Sequence, residues 1–91
     1  MTPVDKAFLD DVLALCRQDK LKYEIQQEYV MFDIAASKKV FIQKSNISRY
    51  NHAFLKTNYL PRERFVEEAV NYIKGIIANA ENEDDTDETD D

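Results

Sequence analysis

The chain has a single glycine, Gly75, in 91 residues. That excludes a glycine-rich phosphate loop and the Asn-Gly turn that closes the tightest β-hairpins. It has one cysteine, Cys16, and one histidine, His52. An internal disulfide is therefore impossible, and one copy cannot supply the Cys and His ligands of a zinc site. No apolar run approaches the ~20 residues of a membrane-spanning helix. The first residues, Met1 to Lys6, lack the basic-then-apolar order of a secretory signal. The expectation is a protein of a reducing compartment, cytoplasmic or nucleoid/nuclear, neither secreted nor in a membrane. The match of Asn46-Ile47-Ser48 to a glycosylation sequon then has no meaning.

Catalytic groupings are also missing. Asp10-Asp11 and Glu67-Glu68 are neighbours on helical segments, so each pair splays around its axis instead of converging on one atom. Cys16 falls on an apolar helix face, where cysteine behaves as a small hydrophobe. The acidic C-terminal segment lacks the glycine and the ligand spacing of a calcium loop. No enzyme, metal or cofactor is expected.

What the chain does have is charge, unevenly placed. From Lys38 to Arg64 there are seven bases and one acid, Glu63, interleaved with Phe41, Tyr50, His52, Phe54 and Tyr59. From Glu81 to Asp91 there are eight acids and no base (Glu81, Glu83, Asp84, Asp85, Asp87, Glu88, Asp90, Asp91). The formal net charge of −6 thus divides into +2 for residues 1–80, with 12 bases and 10 acids, and −8 for the remainder. The domain reading follows: one compact unit over 1–80 and a disordered acidic tail over 81–91, which has nothing apolar to bury.

Within 1–80 the periodicities are clear. Thr2-Pro3-Val4-Asp5 is a helix start with cap, first-position proline and an acid at the positive end of the dipole. Val4, Phe8, Leu9, Val12, Leu13, Leu15 and Cys16 then make a wide apolar helical face ending near Asp19-Lys20. Its breadth suggests burial against a sheet and also a possible homodimer. Alternation over 21–27, 29–35 and 39–44 reads as a three-stranded antiparallel meander, with Val30, Phe32 and Ile34 on one side and Tyr29, Met31 and Asp33 on the other. Ile47, Tyr50 and Phe54 mark a short helix over 47–56 capped by Ser45 or Asn46, and Pro61 opens a longer one with a stripe from Phe65 to Ala80. The fold class is α+β: a small antiparallel sheet with an N-terminal helix and a long C-terminal helix on one face, in the order α-β-β-β-(short α)-α.

Without the short helix, this element order resembles that of the double-stranded RNA-binding domain. The lysine cluster that the resemblance implies at the start of the last helix is replaced by Pro61-Arg62-Glu63-Arg64, and a shared element order does not establish a shared function. The charge layout, a basic body with an acidic C-terminus, is similar to that of single-stranded-DNA-binding proteins, without their five-stranded barrel.

The function expected from these features is non-enzymatic binding of nucleic acid, single-stranded favoured, as an accessory protein. Lys38, Lys39, Lys44, Arg49, Lys56, Arg62 and Arg64 would meet phosphates, and Tyr50 and His52 would stack on bases or orient a phosphate. Whether Phe41, Tyr50, Phe54 and Tyr59 are core or exposed is open at this level. The tail would compete with nucleic acid or recruit a partner. The alternative is a protein-interaction module, an adaptor or acidic inhibitor, whose partner has a basic surface.

Overall fold

The computed structural model describes residues 1–35, 38–57 and 59–90, with side chains as far as Glu81. Helix α1 (Pro3–Gln18) starts as its sequence requires: the Asp5 N–H donates to Thr2 Oγ1 at 3.1 Å, and Pro3 sits where no donor is needed. It ends in a Schellman motif. The Leu21 N–H reaches the Cys16 carbonyl at 3.0 Å and the Lys20 N–H reaches that of Arg17 at 2.9 Å. This geometry puts Lys20 in the left-handed region, with φ 67°. Glycine usually fills such a position, and here a lysine does.

Strands β1 (Lys22–Ile25), β2 (Tyr29–Ala35) and β3 (Lys38–Gln43) form an open antiparallel sheet in the order β1-β2-β3. The first hairpin turns at 26–29, the Gln26 N–H donating to the Tyr29 carbonyl at 2.9 Å, with no left-handed residue in the turn. A bulge between Asp33 and Ala35 shifts the β2–β3 register at Ile34. The expected meander is present, its first strand shorter than the alternation suggested.

Helices α2 (Lys44–Thr57) and α3 (Arg62–Asp90) follow. The start of α2 differs from expectation. Ser45 and Asn46 do not cap it but lie inside its first turn, because β3 passes directly into the helix at Lys44. The cause is tertiary: the Lys44 N–H, otherwise an unsatisfied first-turn donor, reaches the Glu28 carbonyl across the sheet at 2.9 Å. The segment expected to be a disordered acidic tail, 81–91, continues α3 as far as Asp90, and its side chains beyond Glu81 lie outside those described.

The helices share one core with one face of the sheet, α2 and α3 lying against β2 and β3, and α1 lying against α2 and α3. Phe8, Leu9, Val12, Leu13 and Cys16 of α1 meet Val30 and Phe32 of β2, Ile42 of β3, Ile47 of α2, and Phe65, Val66, Ala69, Val70 and Ile73 of α3. Most of the wide apolar face of α1 is therefore used within one chain, while Val4 is exposed and Leu15 half-buried. Burial, reinforced by Asp19, pushes the Cys16 thiol up to about 11, consistent with a packing role. Ion pairs Asp11–Arg62 (2.7 Å) and Asp19–Lys74 (2.5 Å) join α1 and its C-cap to α3 at the surface, the two helices running parallel. The ring pairs Tyr50–Tyr72 and Phe54–Phe65 set α2 antiparallel to α3.

One polar cluster borders this core, with Asp5 and Asn51 buried and His52 exposed. Asn51 of α2 is 1% exposed, and its amide donates to Asp5 Oδ1 of α1 at 2.8 Å. His52 Nε2 lies 3.1 Å from the same carboxylate. The hydrogen bond from Asn51, with smaller contributions from His52 and Thr2, holds the Asp5 carboxyl below its ordinary 3.8 against the opposing effect of burial. Among the described residues no buried side-chain polar atom lacks a partner.

Candidate nucleic-acid interface

Among the described residues no helix lies on the second face of the sheet, since α2 and α3 pack against the first. Its residues are alternate ones: Lys22 and Glu24 from β1; Tyr29, Met31 and Asp33 from β2; Lys39, Phe41 and Gln43 from β3. Phe41 is 56% exposed and Tyr29 is 37% exposed. They are diagonal neighbours, since Phe41 pairs with Met31 and Tyr29 with Gln43. Their rings meet edge to face, with centroids 5.1 Å apart and planes at 89°. Tyr29 thereby fixes the orientation of a phenylalanine ring that remains largely in water.

The next row across the strands is Lys22, Asp33 and Lys39. Lys39 Nζ lies 3.0 Å from Asp33, and both are exposed. Two residues along β3 separate Lys39 from Phe41, about 7 Å at the rise of an extended strand. Lys20, held outward by the left-handed end of α1, joins Lys22 and Lys39 in lining a groove of about 600 Å³ at this end of the sheet. Glu81 lines the same groove. The open face thus carries an aromatic pair one row from Lys22 and Lys39, with Glu24 and Asp33 among them and Lys20 beyond the end of the sheet.

The basic residues singled out from the sequence are not gathered on one surface. Lys39 faces out from the sheet, while Lys38 donates to the Ala80 carbonyl of α3 at 2.5 Å. Lys44 opens α2 and Lys56 lies in its last turn. The Arg49 guanidinium lies over Tyr50 and Tyr72, 5.2 and 5.1 Å from the ring centroids, across the α2–α3 contact. Arg62 is paired with Asp11 and lies over the Phe8 ring at 5.5 Å. Arg64 approaches Glu68 at 3.8 Å. His52 is held against Asp5. Helix packing assigns these side chains to different neighbours, which a count of charges along the chain does not show.

The aromatic question is answered residue by residue. Tyr50 and Phe54 pack against the core, whereas Phe41 and Tyr59 are exposed, Tyr59 at 81%. Tyr29, Met31, Lys20 and Lys22 were not among the expected binding residues. The alternation of β2 had already placed Tyr29 and Met31 opposite Val30 and Phe32. That signal identifies a face without saying whether a helix covers it.

Among the described residues no three His, Cys, Asp or Glu side chains gather as metal ligands do, and no helix is long and apolar enough to cross a membrane. No family model matches the chain, and neither a curated protein nor a solved structure matches it.

Proposed function

We propose that the protein is a non-enzymatic nucleic-acid-binding accessory protein that takes single-stranded nucleic acid on the open face of its sheet. The carrying observation is the exposed, edge-fixed Phe41–Tyr29 pair one row from Lys22 and Lys39. Unpaired bases stack on such rings, and lysines one row away suit the adjoining phosphates. A duplex hides its base faces, so the pair has no comparable use for it. Residues 81–91, with eight acids, compete with the nucleic acid for these lysines or recruit other proteins. The setting implied is the cytoplasm, nucleoid or nucleus.

The test is fluorescence anisotropy of labelled single- and double-stranded oligonucleotides, with the full chain and with residues 1–80, over a salt series. Expected is preferential single-strand binding that weakens with salt and tightens when 81–91 are removed. Phe41→Ala should cost roughly 1–3 kcal/mol of that binding, the usual value of one base–aromatic stack. Absence of binding by both forms at low salt would end this reading in favour of a protein-interaction module.

A further inference from the structure

A groove built from helix residues alone has the reverse character. It runs between the parallel helices α1 and α3, with a volume of about 460 Å³, and a smaller hollow of about 220 Å³ continues it, sharing Leu15 and Glu67. Its floor includes Ala14, Leu15 and Val66, and its rim carries Asp11, Glu63 and Glu67. The cation on this rim, Arg62, is held by Asp11 at 2.7 Å. Glu63 and Glu67 are both exposed and stand one helical turn apart on α3, an i,i+4 pair of like charge. Such a pair disfavours its helix by a few tenths of a kcal/mol. A cation placed between the two carboxylates reverses that repulsion.

We propose that this groove docks a basic segment of a partner protein. An apolar side chain of the segment enters against Leu15 and Val66, and a neighbouring lysine or arginine lies between Glu63 and Glu67. Charge complementarity selects this occupant. The rim repels phosphate, so nucleic acid is excluded from the groove, and an acidic peptide is excluded for the same reason. The apolar floor distinguishes a peptide from a simple counter-ion, which would gain nothing from Leu15. The groove is lined by residues of α1 and α3 and shares none with the open sheet face, so both ligands can be held at once and the protein would bridge them.

The experiment uses the ¹⁵N-labelled full chain and two synthetic amphipathic peptides, one of Lys and Leu and its Glu and Leu counterpart. The Lys peptide should shift the amides of Ala14, Leu15, Val66 and Glu67, and the Glu peptide should not. Combined Glu63→Lys and Glu67→Lys should weaken the Lys peptide by about tenfold or more, as loss of a complementary charge pair does. Both positions are exposed, and the same spectra report whether the variant stays folded. The milder pair Glu63→Gln and Glu67→Gln should give a smaller loss in the same direction. Shifts confined to residues 81–91, an unchanged affinity in the Lys variant, or no binding would each overturn the proposal. Oligonucleotide binding by the Lys variant should persist, so this proposal and the sheet-face reading fail separately.

Discussion

The two faces of the sheet are built from alternate residues of the same three strands, yet they differ in what they demand of the chain. On the covered face Val30, Phe32 and Ile42 are at most 2% exposed and every helix contributes to the packing. On the open face Phe41 is more than half exposed, and its ordered neighbour is another aromatic ring. The covered face is explained by folding alone. The open face is not: a phenylalanine left in water at mid-strand adds little to stability and raises the risk of association. The contrast predicts that substitutions on the two faces separate stability from binding.

The largest effect belongs to the covered face. Phe32→Ala removes a fully buried ring at the centre of the middle strand, a change that usually costs about 3–5 kcal/mol. A domain of this size has only a few kcal/mol of net stability. Chemical denaturation should therefore find the variant largely unfolded in buffer, with the cooperative transition lost.

The buried polar cluster comes next, since it tests whether the covered side depends on polar as well as apolar contacts. Asn51→Ala takes the main hydrogen bond from a carboxylate that burial has already made costly to charge, and should cost about 1–3 kcal/mol. The pH dependence has a definite sign. Asp5 titrates below its ordinary 3.8 in the folded state, so its contribution is complete above that pH. It is lost as pH falls through the folded value. Urea midpoints measured from pH 6 downward should fall more steeply below pH 4 for the wild-type chain than for Asn51→Ala. Parallel curves would mean that Asn51 does not lower Asp5.

The order of elements, the alternation of the strands and the residues of the α3 stripe were all legible in the sequence, because periodicity reports on burial directly. Other features were not, each for a physical reason. Phe41 lies between Val40 and Ile42, so both faces of β3 read as apolar and alternation is mute there. Asp5 and Asn51 are 46 positions apart, and neither polar residue marks itself as buried. The start of α2 is set by a bond to Glu28 across the sheet rather than by a local cap. The basic residues were visible, but their partners depend on how three helices pack.

Glycine usage gives a smaller pair of effects. Gly75 lies exposed within α3, and an added Cβ there would meet nothing within 4 Å, so Gly75→Ala should stabilise by about 1 kcal/mol. Lys20 shows the opposite mismatch, a side chain where the backbone favours glycine. Lys20→Gly should recover about 1–2 kcal/mol of left-handed strain, offset by about 0.5–1 kcal/mol for the freedom glycine gains in the unfolded chain. Because Lys20 lines the lysine groove, the same change should weaken oligonucleotide binding. A variant that gains stability while losing affinity would mark the lysine as kept for binding. One that loses stability would show that its side chain supports the end of α1.

A comparably small effect on stability should come from the open face itself. Phe41→Ala removes a ring of the same size as Phe32, but one that still has over half its surface in water. Little burial is lost and no cavity forms. What remains is the edge-to-face contact with Tyr29, and such pairs are worth about 0.5–1.5 kcal/mol. The urea midpoint should therefore shift by no more than about half of the change caused by Asn51→Ala at its upper range, with an unaltered slope. If Phe41→Ala instead destabilised the chain as severely as Phe32→Ala, that face would have to be covered in solution, and the most direct cover would be a second copy. Sedimentation of the wild-type chain at the same concentration would then show a dimer that the variant lacks. A monomer with a small midpoint shift leaves the ring unexplained by folding, which is the condition the binding proposal requires.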